Sequence, residues 1–223
     1  SMHMFSSEKH FYGGHGIVGA QVLLGIGLGF DNKYRGTDEV SIAYFGEGAF
    51  SQGQVYESFN LAALHKLPCV FVLEQQPLRP WHQRRARRRR PRTLWRHGQP
   101  WGLPGRPVDG MDVEAVRDAA REAIEHCRQG KGPYLLEMTT YRYRGHSMSD
   151  PAKYRPRSEV DEMRKNHDPI DRVRKELLAM GVGEAELKTI EDKVKEVVVD
   201  AADFAQTSPE PDPAELWTDV LVE

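Results

Sequence analysis

The sequence predicts an α/β fold, a mostly parallel sheet with helices on both faces, and three observations carry that expectation. "EVSIAYF" (39–45) and "CVFVLE" (69–74) flank a helical stretch, "QVYESFNLAALHK" (54–66), in the order strand, helix, strand. Such a crossover sets its two strands parallel and right-handed. "CVFVLE" is apolar without alternation, the mark of a strand covered on both faces. A further helix, "VEAVRDAAREAIEHCRQG" (113–130), then leads into another strand, "GPYLLEMTTYRY" (132–143).

Taken from the N-terminus, "FYGGHGIVGAQVLLGIGLGFDNKYRG" (11–36) reads as a loop entering a close-packed helix, because Gly13, Gly14, Gly16 and Gly19 precede an apolar run that holds Gly25, Gly27 and Gly29. Gly14-x-Gly16-x-x-Gly19 imitates a dinucleotide fingerprint, but that motif needs a strand before it and "SSEKHFY" makes a poor one. A tight backbone turn beside a ligand or another chain fits the glycines better. The loop "GEGAFSQG" (46–53) joins the first strand to its helix, and Pro68 breaks the chain before the second strand. "GLPGRPVDGMD" (102–112) is a turn-rich connection that ends on Asp112, a natural N-cap. The helix after it carries Val113, Val116, Ala120, Ala123, Ile124 and Cys127 on one stripe and stops at Gly130.

"RGHSMSDPAKYRPRSE" (144–159) follows neither period and is a candidate functional loop. Two amphipathic helices close the chain, one within "DPIDRVRKELLAMG" and one from Glu184 to Ala205, the latter with Leu187, Ile190, Val194, Val197, Ala201 and Phe204 on one face. Pro209, Pro211 and Pro213 prevent its extension. The 223 residues read as a single domain without internal repeats.

Composition narrows the function classes. With 31 Lys and Arg against 33 Asp and Glu, the net charge is -2, which gives no general attraction to nucleic acid or to an anionic membrane. No apolar run reaches the roughly 18 to 20 residues of a membrane span. Cys69 and Cys127 have no partners at metal-ligand spacing, so both read as reduced, buried thiols of a cytoplasmic protein.

In open parallel sheets, ligands sit beyond the carboxyl ends of the strands. Here those ends are Gly46-Glu47-Gly48-Ala49 and Gln75-Gln76, side by side in the expected sheet. A carboxylate between two glycines suits a divalent cation whose other ligands are phosphate oxygens and water, and the helix start that follows favours phosphate charge.

Several stretches together resemble the alpha subunits of bacterial pyruvate dehydrogenase first components, in the family of thiamine-diphosphate-dependent 2-oxoacid dehydrogenases. They are "FYGGHGIVGAQV", "YFGEGAFSQGQVYESFNLAALHKLPC", "VDGMD", "GKGPYLLEMTTYRYRGHSMSDPAKYR" and "FAQTSPEPDPAELWTD", with "SMHMF" at the start. "YRYRGHSMSDPAKYR" is the most specific, and the likeness covers nearly the whole chain except an arginine run. It implies a thiamine-diphosphate-binding fold, N-terminally truncated, with a family segment expected upstream. By position, Glu47 replaces the family's metal-binding aspartate and Gln76 its second ligand, an asparagine. Each is longer by one methylene than the residue it replaces. Leu78 stands where a backbone carbonyl faces the magnesium ion. Gly46, Gly48 and Ala49 match the diphosphate turn, Gly16 and Val18 match positions that meet the aminopyrimidine, and His146 matches a histidine that approaches the diphosphate and the reacting centre. His3 lies toward the cofactor side by the same analogy.

As partners, the resemblance implies a beta subunit in an α2β2 heterotetramer, a lipoyl-bearing dihydrolipoyl acyltransferase, and pyruvate as substrate, in the bacterial cytoplasm. The cofactors are thiamine diphosphate and Mg2+. Relatives acting on branched-chain 2-oxoacids or acetoin share much of the pattern.

The arginine run, Arg79 to Arg96 with Trp81, His82 and Trp95, admits a second reading as an RNA-binding arm, with basic side chains on phosphates and aromatics on bases. Its position argues against that, because the cofactor-covering loop of the family belongs there. A one-base shift turns two asparagine codons into Gln75-Gln76, and residues from Gln75 to about Arg92 read as translated out of frame. The clustered charges repel, so the expectation over 75–96 is a disordered insert or an out-of-frame segment.

Overall fold

The computed structural model describes residues 3–76 and 93–218, and the chain divides into two compact units, Ser1–Pro169 and Ile170–Glu223. The first unit is built on a four-stranded, fully parallel sheet of β1 (Ser41–Gly46), β2 (Cys69–Gln75), β3 (Gly105–Asp109) and β4 (Tyr134–Thr139), in the spatial order β1-β2-β4-β3. Helix α1 (Ala20–Arg35) precedes β1, α2 (Gly53–Leu64) crosses from β1 to β2, and α3 (Val113–Arg128) crosses from β3 to β4. The α/β expectation and the crossover from β1 through α2 to β2 hold.

The pleat of the sheet sorts its side chains into two cores. On one face Ala43, Phe45, Cys69, Phe71 and Leu73 meet Val22 and Ile26 of α1 and Val55, Phe59 and Ala62 of α2. On the other, Val70, Val72, Leu136 and Met138 meet Ala119, Ala123 and Cys127 of α3. β2 is therefore buried on both faces, as its unbroken apolar run requires. β1 is different, since its outer-face residues Ile42 and Tyr44 remain exposed.

The glycines of α1 let it lie close on the sheet. A Cβ on Gly25 would sit 2.9 Å from the Cβ of Ala43, and one on Gly29 would fall inside the Sγ of Cys69. The two cysteines are free and buried, and burial pushes both thiols up to about 12, which keeps them protonated and inert. Asp112 caps α3, its carboxylate accepting from Ala115 N at 3.1 Å.

Three elements depart from the sequence expectation. β3 lies inside the stretch read as a connection; it is an edge strand, where Pro107 is tolerated. β4 stops at Thr139 instead of running to Tyr143, because its pairing with β2 and β3 ends at Gln75 and Asp109; past it the Tyr141 and Tyr143 hydroxyls bond Glu159 and Asp168. Residues Arg157–His167 form a helix, α4, with no buried side chain and so no apolar stripe to announce it.

The second unit holds α5 (Pro169–Ala179, beginning at the last residue of the first unit) and α6 (Glu184–Thr207), and Arg174 of α5 pairs with Glu184 and Glu191. Both helices fall where amphipathic periodicity put them. On the α6 stripe Leu187 is buried, while Ile190, Val194, Val197 and Phe204 are exposed. Among the described residues no helix is long and apolar enough to cross a membrane.

Candidate functional site

The parallel register sets the carboxyl ends of the strands at one edge of the sheet. Gly46 lies opposite Glu74, Gln75 lies opposite Thr139, and Thr140 N donates to Gln75 O at 3.0 Å. Three of the segments singled out in the sequence thus leave the sheet from neighbouring points: the turn 46–49, the Gln75-Gln76 end, and the loop that carries His146.

After Gly46 the chain stays tied to β2. Glu47 N donates to Glu74 O at 3.2 Å, and Gln76 N donates to Glu47 Oε2 at 3.2 Å. The side chain of Gln76 turns toward Glu74, with Nε2 3.4 Å from its Oε2. The sequence expectation that Glu47 and Gln76 meet is met, in a form that it did not specify: the backbone amide of Gln76 touches the carboxylate. Ala49–Ser51 then make one 3-10 turn that leads into α2.

Gly46 and Gly48 are not required by the fold among the described residues. Gly48 has φ -67°, open to any residue, and a Cβ there would meet nothing within 4 Å. A Cβ on Gly46 would lie 3.9 Å from its nearest neighbour, Glu74 O, an ordinary contact. These glycines leave backbone bare toward solvent, which suits the close approach of a ligand. By contrast, Gly13 (φ 86°) and Gly19 (φ 89°) are demanded by their own backbone.

Gly19 opens α1 beside the start of α2. There Gln54 Nε2 donates to Val18 O at 3.1 Å, which ties the glycine loop to the helix that follows the 46–49 turn. His3 Nδ1 lies 3.0 Å from Gly14 O, and a Cβ on Gly16 would come 3.6 Å from His3 Nε2. Gly16, Val18 and His3 therefore form one cluster, joined to α2 through Gln54.

His146 is exposed on a loop whose centre is Asp150. The Asp150 carboxylate accepts from His146 N at 2.7 Å, Ala152 N at 2.9 Å and the Tyr154 hydroxyl at 2.8 Å. These donors, His146 N foremost, hold its carboxyl below the usual range. Arg142 donates to Gly145 O and His146 O, and Arg155 donates to Arg144 O with its guanidinium over the Tyr141 ring. The loop is cross-braced and not loose, and it presents the imidazole outward. Sequence reasoning identified the loop and missed Asp150, the one acidic residue in "RGHSMSDPAKYR" and the only signal that could have marked it.

Leu78, the arginines from Arg79 to Arg92, Trp81 and His82 lie outside the described residues. Of the stretch expected to be a disordered insert, Gln75 ends β2 and Leu94–Trp101 form a 3-10 segment, with the Arg96 guanidinium 5.5 Å over the Trp95 ring. Among the described residues no three His, Cys, Asp or Glu side chains gather as a metal cage. The candidate cation donors are the Glu47 carboxylate, with one oxygen still unspent on Gln76 N, and the Gln76 amide oxygen. Both are hard oxygen donors, and their small number fits an ion such as magnesium, which keeps waters and takes phosphate oxygens.

Residues 1–214 match the family model described as Dehydrogenase E1 component. Over 223 residues the chain is 59% identical to the pyruvate dehydrogenase E1 component subunit alpha of Rhizobium meliloti (strain 1021), covering 100% of this chain and 64% of that protein. It is 52% identical over 222 residues to the protein of that name from Zymomonas mobilis, covering 100% of this chain and 62% of the relative. A third relative of the same name, from Rickettsia bellii, is 47% identical over 223 residues, with 100% and 68% covered. The chain thus spans 62 to 68% of the length of these curated relatives. The match over nearly every residue, on a parallel sheet whose strand ends carry the expected turns, makes this chain a member of the dehydrogenase E1 component family.

Proposed function

We propose that the chain is the cofactor-binding part of a pyruvate dehydrogenase alpha subunit, which serves thiamine-diphosphate-dependent oxidative decarboxylation of pyruvate in the bacterial cytoplasm. The acetyl group would pass to the lipoyl of a dihydrolipoyl acyltransferase, and a beta subunit would complete an α2β2 heterotetramer. The observation that carries the reading is the bare turn Gly46-Glu47-Gly48-Ala49 at the end of β1, whose two glycines the fold itself does not need. The names of these three relatives support the choice of pyruvate over other 2-oxoacids.

When bound, thiamine diphosphate supplies the electron sink for decarboxylation. The residues of this chain bind and orient. Gly46, Gly48 and Ala49 offer backbone to the diphosphate, and the start of α2 favours its charge. Glu47 and Gln76 supply two oxygens to Mg2+, and the Leu78 carbonyl is a third candidate. Gly16 and Val18, tied to α2 through Gln54, line the aminopyrimidine side. His146 presents an imidazole that can hydrogen-bond phosphate.

Calorimetric titration with thiamine diphosphate and magnesium tests the reading. Gly48→Ala should hold or slightly raise the melting temperature and weaken binding at least tenfold, and Glu47→Asp with Gln76→Asn should lower the magnesium concentration required. Magnesium-independent binding, or binding indifferent to Gly48→Ala, would refute it.

A further inference from the structure

We propose that Glu137, a carboxylate buried within β4, is a positioning residue for the Gly46–Ala49 turn and acts through the segment Leu94–Trp101. Its value for ligand binding rests on the reading above; its mechanics do not.

Glu137 is only 3% exposed, in the fourth of the six positions of β4 and opposite Leu73 and Pro107 on the neighbouring strands. A carboxylate in such a place is costly unless donors meet it. Here Trp95 N donates to Oε2 at 2.9 Å, and the Leu94 amide adds a second bond. Both belong to the start of the 3-10 segment, where backbone N–H groups have no partner of their own within the helix. Burial still pushes the carboxyl above its ordinary value, while the two amides and nearby His97 pull the other way. The side chain is therefore kept in the sheet for what it holds.

What it holds reaches the site in two steps. Past the anchored amides, Gly98 presses on the sheet, where a Cβ would lie 3.3 Å from Leu135 Cδ2 and 3.2 Å from Leu103 Cβ. Between anchor and glycine, His97 meets Phe50 edge-on, with ring centroids 5.6 Å apart at 84°. Phe50 is the middle residue of the 3-10 turn that follows Gly48, and its other neighbours are Phe45, Tyr56 and Phe59. His97 is thus the brace on one side of the ring that carries the turn, and Glu137 fixes the segment bearing that brace.

Amide hydrogen exchange on the full chain tests the link without any ligand. In Glu137→Leu, exchange should rise roughly tenfold or more both in residues 94–98 and at Glu47, Ser51 and Gln52, whose amides report on the turn. Glu137→Gln, which keeps a carbonyl oxygen, should show a smaller rise. His97→Ala should loosen the turn while Leu94 and Trp95 stay protected, and adding it to Glu137→Leu should loosen the turn no further. A turn unmoved while 94–98 opens, or effects of the two substitutions that simply add, would overturn the proposal. If Glu137→Leu does not fold, His97→Ala decides, because an unchanged turn in that variant overturns the link. A wild-type chain that binds no thiamine diphosphate would fail the functional reading and leave the exchange result standing.

Discussion

Replacing Gly25 by alanine is a direct test of how closely α1 lies on the sheet. The new methyl would sit 2.9 Å from the Cβ of Ala43, and ordinary carbon contacts begin near 3.5 Å, so helix or strand must yield by more than half an ångström. Overpacking of that kind costs about 1–3 kcal/mol, and the better helix propensity of alanine returns about 1 kcal/mol. The net expectation is a loss of about 0–2 kcal/mol, where an uncrowded helix glycine would gain stability. Ala43→Gly alone should cost about 1–2 kcal/mol, from one lost buried methyl and a glycine in a strand. The pair Gly25→Ala with Ala43→Gly exchanges the methyl across the interface, so the double variant should be more stable than the sum of the singles by at least about 1 kcal/mol. Urea unfolding, with m unchanged, measures all three. Additivity within about 0.5 kcal/mol, or a Gly25→Ala variant more stable than the parent, would refute the close approach.

Asp112→Ala should cost about 1 kcal/mol of stability through loss of the bond from Ala115 N, and Asp112→Asn much less, as read by the same unfolding curves. Asp150→Asn should speed amide exchange across residues 144–155, because one acceptor oxygen becomes a donor that faces either Ala152 N or the pair of His146 N and the Tyr154 hydroxyl. Because the Asp150 carboxyl is held below its ordinary value of 3.8, its support of the loop is complete above that value and fades as pH falls through the lower folded value. After correction for intrinsic rates, loop protection should therefore be flat from pH 8 to pH 5; a midpoint within that window would contradict the assignment.

The parts legible in the sequence were those whose pattern is local. β1, α2, β2 and α3 each announce themselves by length, periodicity or cap, and the closeness of Gly46–Ala49 to Gln76 follows from parallel topology alone. β3 was not legible, because "GRPVD" is poor strand material and is extended only by pairing with β4. α4 is polar nearly all round, and only Glu159 in its first turn with Arg164 and Lys165 in its last would have hinted at it. Asp150 and Glu137 were missed for different reasons. Asp150 is met by donors of its own loop, two and four positions away, in a segment that follows no helix or strand period, whereas Glu137 is met by amides more than forty positions earlier, and no spacing rule encodes that meeting.

The two margins of the sheet are unequal. β3 carries Pro107, which has no N–H to offer a newcomer, whereas the six residues of β1 contain no proline, and their outer face shows Ile42 and Tyr44 to solvent. Self-association by lateral strand addition therefore has one open flank and one blunted flank. A lysine at Ile42 would blunt the other and raise the concentration at which the isolated chain stays dispersed, without touching the strand ends where the turns assemble.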